Sequence, residues 1–534
     1  MTGHEQAQEF RPQMKQSFNL WSLAFMACLT STTWEAVTST MAQALSSGGS
    51  SSMVWGFLTS ACGTFSIAMA LAEFSSMVPT AGGQYHYVAA LSAPKYRRIL
   101  SWLSGWVTLW GWLLATLAGN FANAMSIQSL IILFLEDYTY QRWHTSLVSL
   151  RRLVYMLHDP LMIIQIVIVL SILYTVMSLS PTKLLHYANY VGMLLHCSGY
   201  IITITYLLVK TPVKQSAEKV FTDTTNLSGW SPGVAWSIGL MSSALSMVGW
   251  DSACHMAEEM KQAPRDIPRT MIGAVGMTGV LTFPWVIALM FCITDIEEVV
   301  TGPVGVLSPL NQLIYNTSGG NAAATVGIAM STLIMNIVAS GPSCMAATAR
   351  IAWSFSLEGG LPEAFGRMNS KAQVPLNATI GSCIVVCLLS LIYIGNSTAF
   401  YGLSSGVTVV VYVSYMMPIA LYCIWGFKHC PMPRGPFTLG TWSRPINYFA
   451  LAWCTYLVIF LCFPTTIPTS AETMNYASLI LGTCIVLPMG AWFVYGNKVY
   501  DGVMDQIVEG IENVVVAEED GANKAGKVSS ISVS

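Results

Sequence analysis

The sequence predicts an all-α integral membrane protein with about twelve transmembrane helices. Hydrophobic residues make up 54% of the 534 residues and charged residues only 9%, whereas soluble proteins carry about 25% charge. The apolar runs reach about 20 residues, enough for a helix to cross a bilayer, and they lack the alternation of a membrane β-barrel. The lipid bilayer is therefore an expected partner. A net charge of −2 without a basic block gives no indication of nucleic acid.

Hydropathy divides the chain into a polar segment at 1–18, a transmembrane domain at 19–496 and a polar tail at 497–534 that we expect to be disordered. We expect the first membrane helix to serve as its own insertion signal, because no signal-peptide pattern precedes it. The predicted spans are 19–45, 53–78, 99–134, 160–180, 187–209, 234–257, 271–294, 323–356, 376–394, 399–427, 446–464 and 476–496.

Lysine and arginine placement predicts that both termini are cytosolic. With that orientation, 18 of the 24 Lys and Arg residues lie in inner segments, as the positive-inside rule requires. The sequons at Asn226, Asn316 and Asn396 then fall outside and are candidate glycosylation sites. We expect the plasma membrane, with the vacuolar membrane as the alternative.

The first span contains a carboxylate, Glu35, at mid-membrane depth, where insertion costs roughly 2.5–3.5 kcal/mol. Thr32, Thr33, Trp34 and Glu35 spell the capping box T-x-x-E, which starts helices. A helix start inside a span predicts a helix that stops and restarts there, as in secondary transporters. The alternative places Glu35 in a short loop between two helices.

Polar positions continue along the next spans. Glu73 closes the second span before a tight Pro-Gly-Gly loop, which favours structure or gating over substrate contact. Asn120 and Asn123 in the third span and Asn336 in the eighth could line a cavity, but we favour interhelical hydrogen bonds. Residues 136–159 fit no span well and are placed outside; alternatively, the fourth span begins near residue 147.

The sixth span carries small residues, including Ser246 and Gly249, just before Trp250 and Asp251. Such a cluster predicts a second break, with Asp251 starting the following half-helix. His255 and Glu258 or Glu259 would continue a polar stripe from Asp251 to the cytosolic face. The stripe is either a proton or cation path, or a structural anchor in which the glutamates pair with Lys261, Arg265 or Arg269.

Cofactor motifs are not found in the sequence. His255 and Glu259 lack further nearby ligands and the HExxH pattern, so we expect no metal. The chain also lacks a Walker motif, so we expect no ATP drive, and it offers no nucleophile–base pair that would indicate an enzyme. Trp34 and Trp250 adjoin the two predicted breaks and could cover a cation.

Three segments carry a resemblance to a known family: AEFSSMVPTAGGQYHYV at 72–88, SWLSGWVTLWGW at 101–112 and VGWDSACHMAEEMKQAPRDIPRTM at 248–271. They resemble the fungal amino acid/choline transporter branch of the amino acid–polyamine–organocation superfamily, which includes GABA, choline and general amino acid permeases. The resemblance implies a 5+5 inverted repeat with helices 1 and 6 broken, plus two peripheral helices.

The resemblance also implies a substrate site between the two breaks. The first break would receive a substrate carboxylate, and the second would face the substrate amine. The implied substrate-binding residues are Thr32, Thr33, Trp34, Glu35, Ser246, Val248, Gly249, Trp250 and Asp251. Glu73, His255 and Glu258 are the candidates for coupling or gating.

The function implied is that of a secondary active transporter, or permease. It would move amino acids or related amines such as GABA across a membrane, with a proton or another ion coupled to the movement. The runner-up substrate is choline, for which Trp34, Trp250 and Asp251 would form a cage. A nutrient sensor that binds but does not translocate is the alternative from another class.

Overall fold

About 77% of the residues that the structure describes are helical. The computed structural model describes residues 14, 16–133, 166–369, 373–391, 398–470 and 474–502, with side chains omitted at 398–404. The ambiguous segment 136–159, the sequon at Asn396 and most of the polar tail lie outside these residues. In the described residues, β-type pairing is limited to two isolated bridges, Phe18 with Met260 and Ser47 with Asn226.

The first half of the chain forms twelve α-helices within the described ranges. They are α1 Leu20–Ser31, α2 Thr33–Ser39, α3 Met41–Met77, α4 Gln84–Leu91, α5 Pro94–Ile132, α6 Ile166–Ser178, α7 Thr182–Lys210, α8 Ala217–Thr222, α9 Pro232–Gly239, α10 Met241–Ser246, α11 Ser252–His255 and α12 Ala263–Cys292.

The second half adds nine α-helices and two π-helical turns within the described ranges. The α-helices are α13 Ile296–Thr301, α14 Pro309–Thr317, α15 Ala322–Met335, α16 Gly341–Leu357, α17 Leu376–Ser390, α18 Thr398–Trp425, α19 Ser443–Phe460, α20 Ala477–Ala491 and α21 Asn497–Val499. The π turns join α15 to α16 at Asn336–Ser340 and α20 to α21 at Trp492–Gly496.

Seven helical stretches of the described residues are long and apolar enough to cross a membrane. They are Met41–Met77, Pro94–Ile132, Thr182–Lys210, Ala263–Cys292, Ala322–Leu357, Ser405–Trp425 and Ala477–Val499. The predicted first and sixth spans fall outside this set because the structure divides each into short helices. Shorter apolar helices, Ile166–Ser178 and Leu376–Ser390, occupy the predicted fourth and ninth spans.

A turn at Gly48 and Gly49 separates the first predicted span from the second. Both glycines have non-helical backbone angles, and Gly49 has a φ of 62°. A Cβ on Gly49 would lie 2.7 Å from the backbone nitrogen of Thr225. Glycine is therefore needed both for the left-handed conformation and for the close approach of the 223–227 segment.

The interrupted helices lie inside the bundle. α1 packs against α7 and α12, while α10 packs against α2, α3 and α18. Large aromatic side chains fill the interior, including Trp34, Trp102 and Trp250. Apolar side chains such as Leu194 and Val280, with exposures of 69% and 73%, cover the outer surface. An apolar exterior around a packed interior is the arrangement expected of a bundle surrounded by lipid.

Candidate functional site

The first interruption lies at Thr32, between α1 and α2. Thr32 adopts a left-handed conformation with a φ of 40°, and its N–H still bonds to the Cys28 carbonyl at 3.0 Å. The break is therefore where the sequence predicts it, but the predicted capping box is wrong. The Thr32 side chain makes no cap hydrogen bond, and Glu35 instead accepts a bond from His196.

The second interruption spans the residues between α10 and α11. The helix ends at Ser246, and Gly249 takes a φ of 101° before Ser252 begins the next short helix. Asp251 stands at the N-cap position of α11, the half-helix start that the sequence predicts. The predicted continuous stripe is wrong, because α11 ends at His255 and the chain then makes a 3-10 turn.

The two interruptions touch each other. The Thr30 hydroxyl lies 2.8 Å from both the Gly249 carbonyl oxygen and the Ser252 hydroxyl. A Cβ on Gly249 would lie 2.8 Å from the Thr30 carbonyl oxygen and 3.2 Å from the Ser31 nitrogen. The absence of a side chain at Gly249 therefore allows the two backbones to meet in the interior.

A cavity of about 200 Å³ adjoins this meeting point. Its walls are formed by α1, α2, α5, α10, α14, α15, α16 and α18, together with the second interruption and the π turn at Asn336–Ser340. Its polar lining residues are Thr30, Ser31, Thr32, Glu35, Ser39, Thr40, Trp112, Thr116, Asn120, Asn123, Ser126, Ser308, Asn311, Thr332, Asn336, Ser340 and Cys344. The lining thus runs from the interruptions toward α14, which belongs to a predicted outer segment.

Glu35 carries the only charged side chain among the described residues that line the cavity. Its Oε1 accepts a hydrogen bond from Nδ1 of His196 at 2.8 Å. Its Oε2 is buried and has no hydrogen-bond partner among the described residues. His196 was not singled out in the sequence, although an ionisable residue within the apolar fifth span was a usable signal.

Asp251 does not line the cavity. Three donors surround its carboxylate: Gln84 Nε2 at 2.6 Å, the Tyr415 hydroxyl at 2.6 Å and Trp112 Nε1 at 3.2 Å. His255 Nε2 lies 3.6 Å from Asp251 Oδ2. Trp112 also lines the cavity, so this residue links the cavity wall to the buried cluster.

The other predicted substrate-binding residues divide into two groups. Thr32, Val248 and Gly249 line the cavity with Glu35. The remainder of the set, which is Thr33, Trp34, Ser246 and Trp250, lies among buried residues outside the lining. The Trp34 ring packs against Trp285 with centroids 4.5 Å apart, and the Trp250 ring packs 5.2 Å from Tyr415.

The sequence allowed two roles for the buried asparagines, cavity lining and interhelical hydrogen bonding, and the structure shows both. Asn120, Asn123 and Asn336 all line the cavity. Asn120 Nδ2 also donates to the Ser171 hydroxyl at 2.8 Å, and Asn123 Nδ2 lies 3.2 Å from the Tyr174 hydroxyl. The cavity wall on α5 is thereby tied to α6.

A buried ion pair joins the chain after α11 to α16. Glu259 Oε1 accepts from Nε of Arg350 at 2.6 Å, and both side chains are almost fully buried. The predicted pairing of Glu259 with Lys261, Arg265 or Arg269 is therefore wrong, because α16 brings Arg350 to it. Glu258 Oε1 lies 3.5 Å from the Ala81 nitrogen.

Glu73 connects α3 to the beginning of α19. Its carboxylate accepts from the Ser443 hydroxyl at 2.5 Å and from the Leu439 nitrogen at 3.2 Å, and Arg434 lies 3.4 Å away. Glu73 does not line the cavity. These contacts make it an anchor between α3 and the beginning of α19.

Two candidate glycosylation sites lie in the described part of the chain. Asn226 follows α8, where its Nδ2 donates to the Trp230 carbonyl at 2.7 Å. Asn316 lies near the end of α14 and accepts from Gln312 at 2.7 Å. Both are partly exposed and occupy the segments that the positive-inside rule places outside.

Apolar helices around a cavity between two interrupted helices define a multi-pass membrane transporter. The comparison with known proteins agrees: the family described as "Amino acid permease" matches residues 18–486, so the chain belongs to that family. It is a member of the amino acid–polyamine–organocation superfamily and its fungal branch, and is a transporter rather than an enzyme.

Individual relatives cover most of the chain. A protein named "Choline transporter" from Saccharomyces cerevisiae is 28% identical over 91% of this chain and 82% of its own length. "Amino-acid permease 2" from Neurospora crassa is 26% identical over 92% of this chain and 87% of its own length.

Proposed function

We propose that the protein is a secondary active transporter that moves amino acids or related amines such as GABA, coupled to protons. The observation that carries this proposal is the cavity of about 200 Å³ at the meeting point of the two interruptions. Discontinuous helices expose backbone polar groups inside a membrane, where they can replace the water around a polar substrate.

The proposed architecture is a 5+5 inverted repeat within about twelve spans. α1 with α2 and α9–α11 would be the first members of the two repeats, and α19 and α20 would be peripheral. Both termini would be cytosolic, so α14 would face outward and the Glu259–Arg350 pair inward. Transport would alternate this state with one in which the inner end opens.

The buried cluster behind Trp112 is the proposed place of coupling. Asp251 and His255 are neighbouring ionisable groups, with His255 Nε2 3.6 Å from Asp251 Oδ2, so a proton bound by either one would change the charge of the cluster. Trp112 donates a hydrogen bond to Asp251 and belongs to the cavity wall. A substrate that moves Trp112 would therefore alter the surroundings of Asp251. Glu258 and Glu73 would lie nearer the cytosolic end, where they would act in gating.

Replacing Asp251 with asparagine should lower uptake by about tenfold or more while leaving the protein in the membrane. Hydrogen bonds to a charged group are worth about 1.5–3 kcal/mol each, and three donors now point at this carboxylate. Initial uptake rates normalised to surface protein measure the effect, with the exposed residue change Glu218→Gln as the matched control. Normal uptake by the Asp251 variant would remove this residue from the mechanism.

A panel of radiolabelled amino acids and amines tests the function. Uptake in a permease-deficient host at two pH values should identify a substrate and show faster uptake at the lower external pH. Flux into vesicles containing the purified protein separates a transporter from a sensor. Binding without flux, across the whole panel, would contradict the transport proposal.

Choline is the second candidate substrate, since one relative is named a choline transporter. A quaternary ammonium group is usually held by an aromatic cage, yet the described lining residues include one aromatic, Trp112. This lining favours an amine that donates hydrogen bonds.

Competition distinguishes the two candidates. We expect labelled GABA uptake to be reduced less than twofold by a tenfold excess of unlabelled choline, and to be abolished by the same excess of unlabelled GABA. The measurement is the initial rate of uptake in the permease-deficient host. Stronger inhibition by choline than by GABA would reverse the order of the candidates.

A further inference from the structure

The carboxylate of Glu35 has one hydrogen-bonded oxygen and one buried oxygen without a partner among the described residues. His196 donates to Oε1, whereas Oε2 is buried without a hydrogen-bond partner in the described part of the chain. The side chain is 11% exposed and lines the cavity. A buried carboxylate oxygen without a donor is unfavourable, so the site is complete only when a donor arrives from the cavity.

The charges around the cavity specify what that donor can be. Lysine and arginine are absent from the described lining residues, and Glu35 contributes the only formal charge. The other polar groups are hydroxyls and amides, and aliphatic side chains such as Leu245 and Val411 complete the wall. A cavity whose described lining includes an acidic side chain and lacks a basic one attracts a cationic group.

Asp251 does not compete for this role. Its two oxygens already accept from Gln84, Tyr415 and Trp112. Asp251 itself does not line the cavity, whereas Trp112 does. A cationic group entering the cavity therefore meets Glu35 and not Asp251, although the resemblance assigns the amine to the second interruption.

We propose that Oε2 of Glu35 binds the ammonium group of the substrate, with His196 as the positioning residue that orients the carboxylate from behind. The ligand class is a primary or secondary amine with a protonated nitrogen, either zwitterionic or purely cationic. This inference rests on the proposed function and specifies which part of the site recognises the amine. It places the substrate amine at the first interruption, whereas the resemblance places it at the second.

The surroundings of the pair support this arrangement. The His196 ring also packs 5.7 Å from the Trp34 ring, which in turn packs against Trp285. Trp34 thus supports the histidine and does not contact the cavity. Cys197 is the neighbouring titratable group on α7, and Cys28 faces it from α1.

Pairs of substrates that differ only in their charged nitrogen provide a test without any mutation. GABA and butyrate form such a pair, because butyrate keeps the carboxylate and lacks the amine. Binding is measured as a ligand-dependent shift in the thermal unfolding of the purified full-length protein. We expect GABA to bind at least tenfold more tightly than butyrate. Equal binding of the two would overturn the proposal.

The matched variant is Glu35→Gln, which keeps the size of the side chain and removes its charge. We expect at least a tenfold loss of GABA binding, while Glu297→Gln, a change at an exposed site outside the cavity, leaves it unaltered. His196→Leu should raise the half-saturating concentration for uptake more than it lowers the maximal rate. His196→Gln, which retains an N–H donor, should restore part of the loss.

Binding and flux separate this inference from the proposed function. If the wild type transports an amine and Glu35→Gln transports it with the same half-saturating concentration, the assignment of Glu35 is wrong and the transporter proposal stands. If the wild type binds amines through Glu35 but vesicles show no flux, the assignment stands and the transport proposal is wrong.

Discussion

Replacing Arg350 with methionine should destabilise the protein by about 3–5 kcal/mol, the cost of breaking a buried ion pair from one side. The change leaves the Glu259 carboxylate without its cation in a site where both side chains are almost fully buried. It also removes the bond from the Arg350 guanidinium to the Ala346 carbonyl. Thermal unfolding of the purified protein, monitored by size-exclusion chromatography, measures the loss.

A double variant provides the matched control for this prediction. Adding Glu259→Met to Arg350→Met removes both charges, and replacement of a whole buried pair by apolar residues is often close to neutral. We expect the double variant to regain most of the stability. Unfolding of the single variant at the wild-type temperature would show that the pair does not contribute to stability.

Uptake by the double variant then tests whether the pair serves a second role. Glu259 follows α11, and Arg350 belongs to α16. In the proposed transport cycle, these two elements would have to separate at the cytosolic end. If the pair holds that end closed, a stable double variant should transport with an altered maximal rate. An unaltered rate would limit the pair to a structural role.

Replacing Gly249 with alanine should abolish uptake even though the change adds one methyl group. Gly249 has a φ of 101°, which L side chains rarely adopt, and such strain costs about 1–3 kcal/mol. The added Cβ would also lie 2.8 Å from the Thr30 carbonyl oxygen. Because that contact is between two backbones, one interruption must move away from the other, and the cavity wall moves with it.

Gly273→Ala is the control for Gly249→Ala. Gly273 lies within α12, and a Cβ there would meet nothing within 4 Å. Alanine in a helix interior is favoured over glycine by about 0.5–1 kcal/mol, so this variant should retain uptake and stability. Uptake normalised to surface protein is the measurement. Wild-type uptake by Gly249→Ala would show that the contact between the interruptions is dispensable.

Much of the fold could be predicted because a membrane span is a local property of the sequence. A predicted span such as 99–134 corresponds to Pro94–Ile132, and 271–294 corresponds to Ala263–Cys292. Helix boundaries were less accurate where polar residues extend the helix beyond the apolar run. In α12, for example, the helix begins at Ala263, eight residues before the predicted span.

The interruptions were predictable in position but only partly in cause. Gly249 marks the second break, because only glycine readily takes its left-handed conformation. Thr32 marks the first, but the predicted capping box does not form. Glu35, the glutamate of that predicted box, instead hydrogen-bonds to His196, which lies 161 residues away in the sequence. A local motif cannot reveal that a distant helix offers a better donor.

The sequence by itself determined that this chain is a helical membrane protein of the amino acid permease type, and it located the two places where helices are interrupted. The membrane class and the interruptions follow from local properties, the length of apolar runs and the residues that break them, whereas the permease family follows from the resemblance of three segments. Only the tertiary structure decided which carboxylate faces the cavity. Glu35 and Asp251 look equivalent along the chain, but Gln84 and Trp112, 167 and 139 residues from Asp251, saturate that aspartate and enclose it. Contacts across such separations depend on how helices pack, and hydropathy and local spacing carry no information about that packing.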